Sequence, residues 1–201
     1  MRIDKVGLYI GNFDPIHINN INIINTAKEF CTKVWIIPMN YYPAMLPYDA
    51  RLELCSRMKN IYFRRDVSVL NLAEEFYKEY GKNCNYSELV KYIPEIFKAH
   101  DNYEYYFIVS NDLYNVIKNS ETDKQLQELY KTCKFVVVGD KVNGNNIVYQ
   151  NKPQIDLSWV TSGLVQQKLL TSTGVPLITH AMYKYLQNNN LINGIYQEHI
   201  Q

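Results

Sequence analysis

The sequence has no long apolar run: nothing in it approaches the ~18 consecutive apolar residues of a membrane-spanning helix. It also has little net charge. A balance of +1 over 201 residues argues against a dominant electrostatic attraction to nucleic acid or to an anionic membrane. The four cysteines, Cys31, Cys55, Cys84 and Cys133, are widely spaced and form no C-x-x-C. That pattern is read as reduced thiols in a cytoplasmic protein. His100, His180 and His199 lack metal-ligand spacing, so no protein metal site is expected. Neither G-x-G-x-x-G nor G-x-x-x-x-G-K-[ST] occurs, which argues against a dinucleotide fingerprint and a P-loop. No stretch looks like a linker and no repeat is visible. The first residues read as a strand rather than a secretory signal, so the sequon Asn85-Tyr86-Ser87 is taken as chance.

What is present is an ordinary globular composition, 47% hydrophobic and 20% charged, expected to form a single domain over residues 1–201. Strand-like runs fall at 5–11, 33–38, 66–71, 103–109 and 134–139. They are short, rich in Val, Ile, Tyr and Phe, and mostly apolar on both faces, as strands covered on both sides must be. Helical patterns lie between them at 19–31, 48–62, 86–99 and 112–131, the last broken near Ser120. The second carries Leu52, Cys55, Met58 and Ile61 as an expected core stripe. Asn143 to Asn146 reads as a turn, Asn146 to Gln150 as a short strand, and 162–170 and 179–189 as closing helices. This alternation predicts an α/β fold: a doubly wound, mostly parallel, Rossmann-like sheet with a C-terminal helical segment.

Ligands of such sheets bind beyond the carboxyl ends of the strands. The stretch IGNFDPIHINN lies at the end of the first strand, just where a helix starts. Gly11, Asn12 and Phe13 occupy that end, and glycine together with helix N–H groups can bring backbone up to a phosphate. Taken alone, His17 is more often a solvated loop histidine than a ligand contact.

The whole stretch resembles the N-terminal motif G-x-F-D-P-x-H-x-G-H of the HxGH nucleotidyltransferases. Gly11, Phe13, Asp14, Pro15 and His17 match; Asn19 stands where glycine is usual and Asn20 where the second histidine is usual. Further segments resemble the nicotinate and nicotinamide mononucleotide adenylyltransferases of that superfamily. KVWIIP and YYPAMLPYDARLELCSRM are similar to their second strand, proline-containing loop and Arg-bearing helix, with Arg51 as the arginine. YYFIVSNDL resembles their strand followed by Gly-x-Asp, with Ser110 for glycine and Asp112 kept. KFVVVGD resembles the fifth strand, with Asp140 where arginine is usual. WVTSGLVQQKLL resembles I-S-S-T-x-I-R, with Ser162 kept, Gly163 for threonine and Gln166 for arginine.

The resemblance implies a chemistry without a protein nucleophile. A mononucleotide phosphate attacks the α-phosphate of ATP and Mg-pyrophosphate leaves, so catalysis rests on positioning and charge stabilisation. It implies His17 and Asn20 at the catalytic positions. It implies Gly11, Asn12, Phe13, Asp112, Ser162, Gly163 and Gln166 around the nucleotide, and Arg51 and Tyr114 at the second substrate. Mg2+ arrives with ATP rather than in a site of its own. The implied partners are ATP and a phosphorylated small molecule, with no nucleic acid and no membrane; a homo-oligomer is compatible with it. Trp35 and Trp159 are both read as core residues, Trp159 with a ligand contact as the alternative.

Asn20 can donate a hydrogen bond but cannot carry charge. Charged hydrogen bonds contribute ~1.5–3 kcal/mol against ~1 for neutral ones. The exchange therefore costs about 1–2 kcal/mol of transition-state stabilisation, roughly ten- to thirtyfold in rate. Gln166 removes a second charge. Two readings follow: an adenylyltransferase of this kind, and a weakened or inactive relative that still binds nucleotide. Adenylyl or cytidylyl transfer to another phosphorylated acceptor is a further alternative, as is an interaction module that reuses the fold.

Overall fold

The computed structural model describes residues 3–40, 43–97, 102–170 and 177–192. Six strands form one sheet: β1 (Asp4–Gly11), β2 (Lys33–Pro38), β3 (Val67–Val69), β4 (Tyr103–Ser110), β5 (Phe135–Val138) and β6 (Ile147–Asn151). Their order is β3-β2-β1-β4-β5-β6, and every pairing is parallel. The helices are α1 (Ile18–Ala27), α2 (Tyr48–Tyr62), α3 (Leu72–Tyr80), α4 (Tyr86–Ile96), α5 (Asn111–Lys118), α6 (Lys124–Thr132), α7 (Ser162–Leu170) and α8 (His180–Asn188).

Alternation along the strands explains the three layers. On one face Tyr9, Val34, Ile36, Tyr106 and Ile108 meet residues of α1, α2, α7 and α8. On the other, Leu8, Trp35, Ile37, Phe107 and Val137 meet α3, α4, α5 and α6. Trp35 is core, as expected. With both faces dry over their inner residues, β1, β2, β5 and the second half of β4 read as continuous apolar runs, while the edge strand β6 is only partly covered.

Three local expectations are corrected. The segment 72–80 is a helix that the strand and helix patterns above passed over; Leu72, Ala73 and Phe76 form its buried face, and Gly81 ends it in the left-handed region at φ 68°. The buried face of α2 is Ala50, Arg51, Leu54, Cys55 and Met58, while Ile61 is exposed. Trp159 is not core but 59% exposed. The expected break near Ser120 separates α5 from α6.

The crossover from β5 to β6 contains no helix. Residues 139–146 run back across α5 and α6, where the Tyr114 hydroxyl donates to the Asn145 carbonyl at 2.9 Å and Lys118 Nζ donates to the Asn143 carbonyl at 2.6 Å. A Cβ on Gly144 would stand 1.9 Å from the Tyr114 hydroxyl, so only glycine lets the crossover pass this close.

Candidate active site

The sheet order reverses between β1 and β4, so the loops after these two strands diverge and leave a crevice at the carboxyl edge. After β1 the chain turns at Phe13, whose φ of 47° lies in the left-handed region. Its ring folds back to a T-shaped contact with Tyr9 at 5.1 Å and is buried, so Phe13 offers the site its backbone rather than its ring. Asp14 is buried too. Its carboxylate accepts the N–H groups of Met45 at 2.5 Å and Leu46 at 2.9 Å, which lashes the β1 loop to the segment before α2.

His17 is the N-cap of α1 and only 5% exposed. Burial pushes its imidazole down to about 4, so it is neutral at ordinary pH. Its Nδ1 is buried with no hydrogen-bond partner. Asn20 Oδ1 accepts the His17 N–H at 2.8 Å, and Asn20 Nδ2 donates to the Tyr9 hydroxyl at 2.8 Å. The carboxamide is therefore held from both ends beneath the helix N-terminus. Burial also pushes the Tyr9 phenol up, so it keeps its proton.

The far C-terminal element closes on the same loop. Ser162, first residue of α7, donates through Oγ to the Pro15 carbonyl at 3.4 Å. Gln166 Nε2 donates to the Asp14 carbonyl at 2.6 Å and to its carboxylate at 3.3 Å. Thr161 Oγ1 accepts the Leu164 N–H at 3.2 Å as the cap. Gly163 is exposed, and a Cβ there would meet nothing within 4 Å. The first-turn N–H groups of α7 thus lie beside the loop that carries His17, in the part of a helix that lacks intrahelical partners.

Beyond β4, Ser110 caps α5 by accepting the Leu113 N–H at 3.3 Å. Asp112 is therefore not the cap; it lines a cavity of about 190 Å3. The first turns of α1 and α5 open into this cavity through Asn19, Asn111 and Asp112, and the segment 152–158 forms its outer wall. That wall is tied to α1 by Asn22 Nδ2, which donates to the Ile155 carbonyl at 2.8 Å. Gly139, at φ 144°, lies so close to Asn111 that a Cβ would be 2.8 Å from the amide carbon. Asn12 Oδ1 and Asn111 Oδ1, like His17 Nδ1, are buried without partners. All three lie in the segments that follow the carboxyl ends of β1 and β4.

Two expected substrate residues serve the scaffold instead. Arg51 is 1% exposed, and its guanidinium donates to the carbonyls of Leu46 at 3.1 Å, Asn12 at 2.7 Å and Met39 at 2.7 Å. With all three bonds directed to main chain, it joins the loops after β1 and β2 and faces no open space. Tyr114 is fully buried against Phe135 and anchors the β5–β6 crossover. Conversely, the 152–158 wall lines the cavity without standing in any expected motif, and Asn111, the unassigned middle residue of the Ser110–Asp112 segment, lines it too. Their signal is topological: each follows the carboxyl end of a strand. His100 and His199 lie outside the described residues. Among the described residues no group of three or more His, Cys, Asp or Glu is placed to hold a metal. All four cysteines are free and buried. No helix among the described residues is long and apolar enough to cross a membrane.

A parallel sheet of this order, with helix N-termini and a glycine–histidine loop at its switch point, is the doubly wound α/β fold of the nucleotidyltransferase type. The chain belongs to the cytidylyltransferase-like family, which it matches over residues 8–175. It is 30% identical over 148 residues, 70% of each chain, to a protein of Fusobacterium nucleatum named probable nicotinate-nucleotide adenylyltransferase. In fold it is similar to the Plasmodium falciparum nicotinic acid mononucleotide adenylyltransferase solved in complex with NaAD. The TM-score is 0.73 and the identity 15%, over 94% of this chain and 98% of that one. The same enzyme complexed with APC gives a TM-score of 0.71 at 15% identity over the same shares.

Proposed function

We propose that the protein transfers the adenylyl group of ATP to nicotinate or nicotinamide mononucleotide, forming a dinucleotide and releasing pyrophosphate. The observation that carries this reading is the convergence of the His17 loop and the N-terminus of α7 at the sheet's switch point, through Ser162 on Pro15 and Gln166 on Asp14. A phosphate oxygen of the mononucleotide attacks the α-phosphorus of ATP. The new P–O bond forms as the bond to the β-phosphate bridging oxygen breaks, and the electron pair leaves with pyrophosphate, which carries Mg2+ as part of the substrate. His17 contributes a neutral imidazole at the phosphate chain, and the Ser162 end of α7 contributes N–H groups. Gly11 and Asn12 set the main chain against the nucleotide, and Asp112 and Asn111 face its nucleoside part.

A second reading, a relative that binds nucleotide and turns it over poorly, is favoured by one observation. The amides of Asn20 and Gln166 are engaged with Tyr9, His17 and Asp14, and neither brings charge to the phosphates. Pyrophosphate release, measured with ATP and each mononucleotide in turn, tests the first reading. Release above background with one of them supports it; ATP binding by calorimetry without any release leaves the second.

A further inference from the structure

Asn20 and Gln166 are both amides, and an amide nitrogen carries two hydrogens. Gln166 Nε2 has two acceptors, the Asp14 carbonyl at 2.6 Å and the Asp14 carboxylate at 3.3 Å. No donor is left on it for a ligand. Asn20 differs. Its Nδ2 has one acceptor among the described residues, the Tyr9 hydroxyl at 2.8 Å, so one amide hydrogen stays unengaged. The side chain is half-buried in the first turn of α1, where a ligand at that helix end can reach it. His17 Nδ1, buried without a partner, belongs to the same helix end.

Two contacts fix the direction of that hydrogen. The His17 N–H can only donate, so it decides which end of the carboxamide is oxygen: Oδ1 accepts it at 2.8 Å. The Tyr9 hydroxyl then decides the tilt of the amide plane. Tyr9 lies on β1, two residues before Gly11, on the face that packs against α1. Its ring is 8% exposed and held by the T-shaped contact with Phe13, so the hydroxyl is a fixed post. Without it the carboxamide is held at one end only and can turn about its last torsion. We infer that Tyr9 is a positioning residue for the transfer: by accepting one Asn20 hydrogen, its hydroxyl holds the other toward the reacting phosphate. A neutral donor standing where a charged one is usual gains most from such alignment, because a donor already aimed needs no reorganisation during the reaction.

The inference rests on the nucleotidyl-transfer reading above, and its test separates the two. Pyrophosphate release at saturating nicotinate mononucleotide, with Mg-ATP varied, is measured for the unaltered protein, Tyr9→Phe, Asn20→Ala and the double variant. Phenylalanine keeps the ring and its packing and removes only the hydroxyl. Tyr9→Phe is predicted to lower kcat about fivefold, the effect of one neutral hydrogen bond, with the KM for Mg-ATP changed less than about twofold. Asn20→Ala should lower kcat at least as much. Adding Tyr9→Phe to it should then change kcat by less than about twofold, because the tyrosine acts through the amide. A tyrosine with a structural role only would lower the melting temperature and leave kcat unchanged, or would lower kcat equally with and without Asn20. Either result, or a raised KM with kcat unchanged, overturns the inference while leaving the transfer reading intact. No release from the unaltered protein overturns both. Melting curves check that the four proteins are folded at the assay temperature; should the double variant unfold, the kcat and KM of Tyr9→Phe decide.

Discussion

His17 is a buried neutral histidine, and burial of that kind has a thermodynamic signature. Its imidazole titrates near 4 when folded against about 6.5 when free. Between these values the unfolded chain binds more protons than the folded one, so stability rises with pH through the window. The contribution is fully present above pH ~6.5 and is lost as pH falls toward ~4, by about 3 kcal/mol in all. Urea midpoints of the unaltered protein and of His17→Asn, compared from pH 4 to 7, should converge at the acid end and separate above it. Parallel curves would show that His17 is solvated. Asn20 makes the complementary point. Its two hydrogen bonds hold the first turn of α1 over Tyr9. Asn20→Ala should therefore cost about 1–2 kcal/mol, from the lost cap and the orphaned phenol. A midpoint shift smaller than a few tenths would contradict the assignment. Gln166→Arg would restore a charge at this position while its guanidinium could still donate to Asp14.

Elements differ in how far their sequence discloses their role. The β-strands were legible because both faces of a parallel sheet are buried, which leaves an unbroken apolar run. Helix α3 was not, because LAEEFYKEY buries one narrow stripe, Leu72, Ala73 and Phe76, within a mostly polar segment. Arg51 and Tyr114 show a second limit. Their positions in the motifs suggested substrate contacts, yet each side chain turns into the scaffold, and nothing local in sequence distinguishes an arginine bound to ligand from one bound to three carbonyls. The β5–β6 crossover depends on such a hidden contact. Gly144→Ala should destabilise the protein by about 1–3 kcal/mol, since the Tyr114 hydroxyl occupies the place of the new methyl group. Adding Tyr114→Phe should recover part of that loss, and denaturation of the single and double variants reads it directly.

At the scale of the whole molecule, the site is assembled from segments far apart in the chain: the loop after β1, the start of α5, the wall at 152–158 and the first turn of α7. The first of these was visible in sequence because IGNFDPIHINN packs glycine, aspartate, proline and histidine into one turn. The cavity was not, since Asn111, Gly139 and Lys152 come together only through sheet order and register. The departures Asn20 and Gln166 could be seen as lost charges, but their present partners, Tyr9 and Asp14, could not. The central claim is that this edge performs nucleotidyl transfer. The most direct measurement is continuous pyrophosphate release by the unaltered protein and by His17→Ala, with ATP and nicotinate mononucleotide both saturating. The account predicts release that needs both substrates and that falls at least about tenfold in His17→Ala, as expected when a group at the phosphate chain is removed. Release that does not depend on the mononucleotide, or that His17→Ala leaves unchanged, would contradict it.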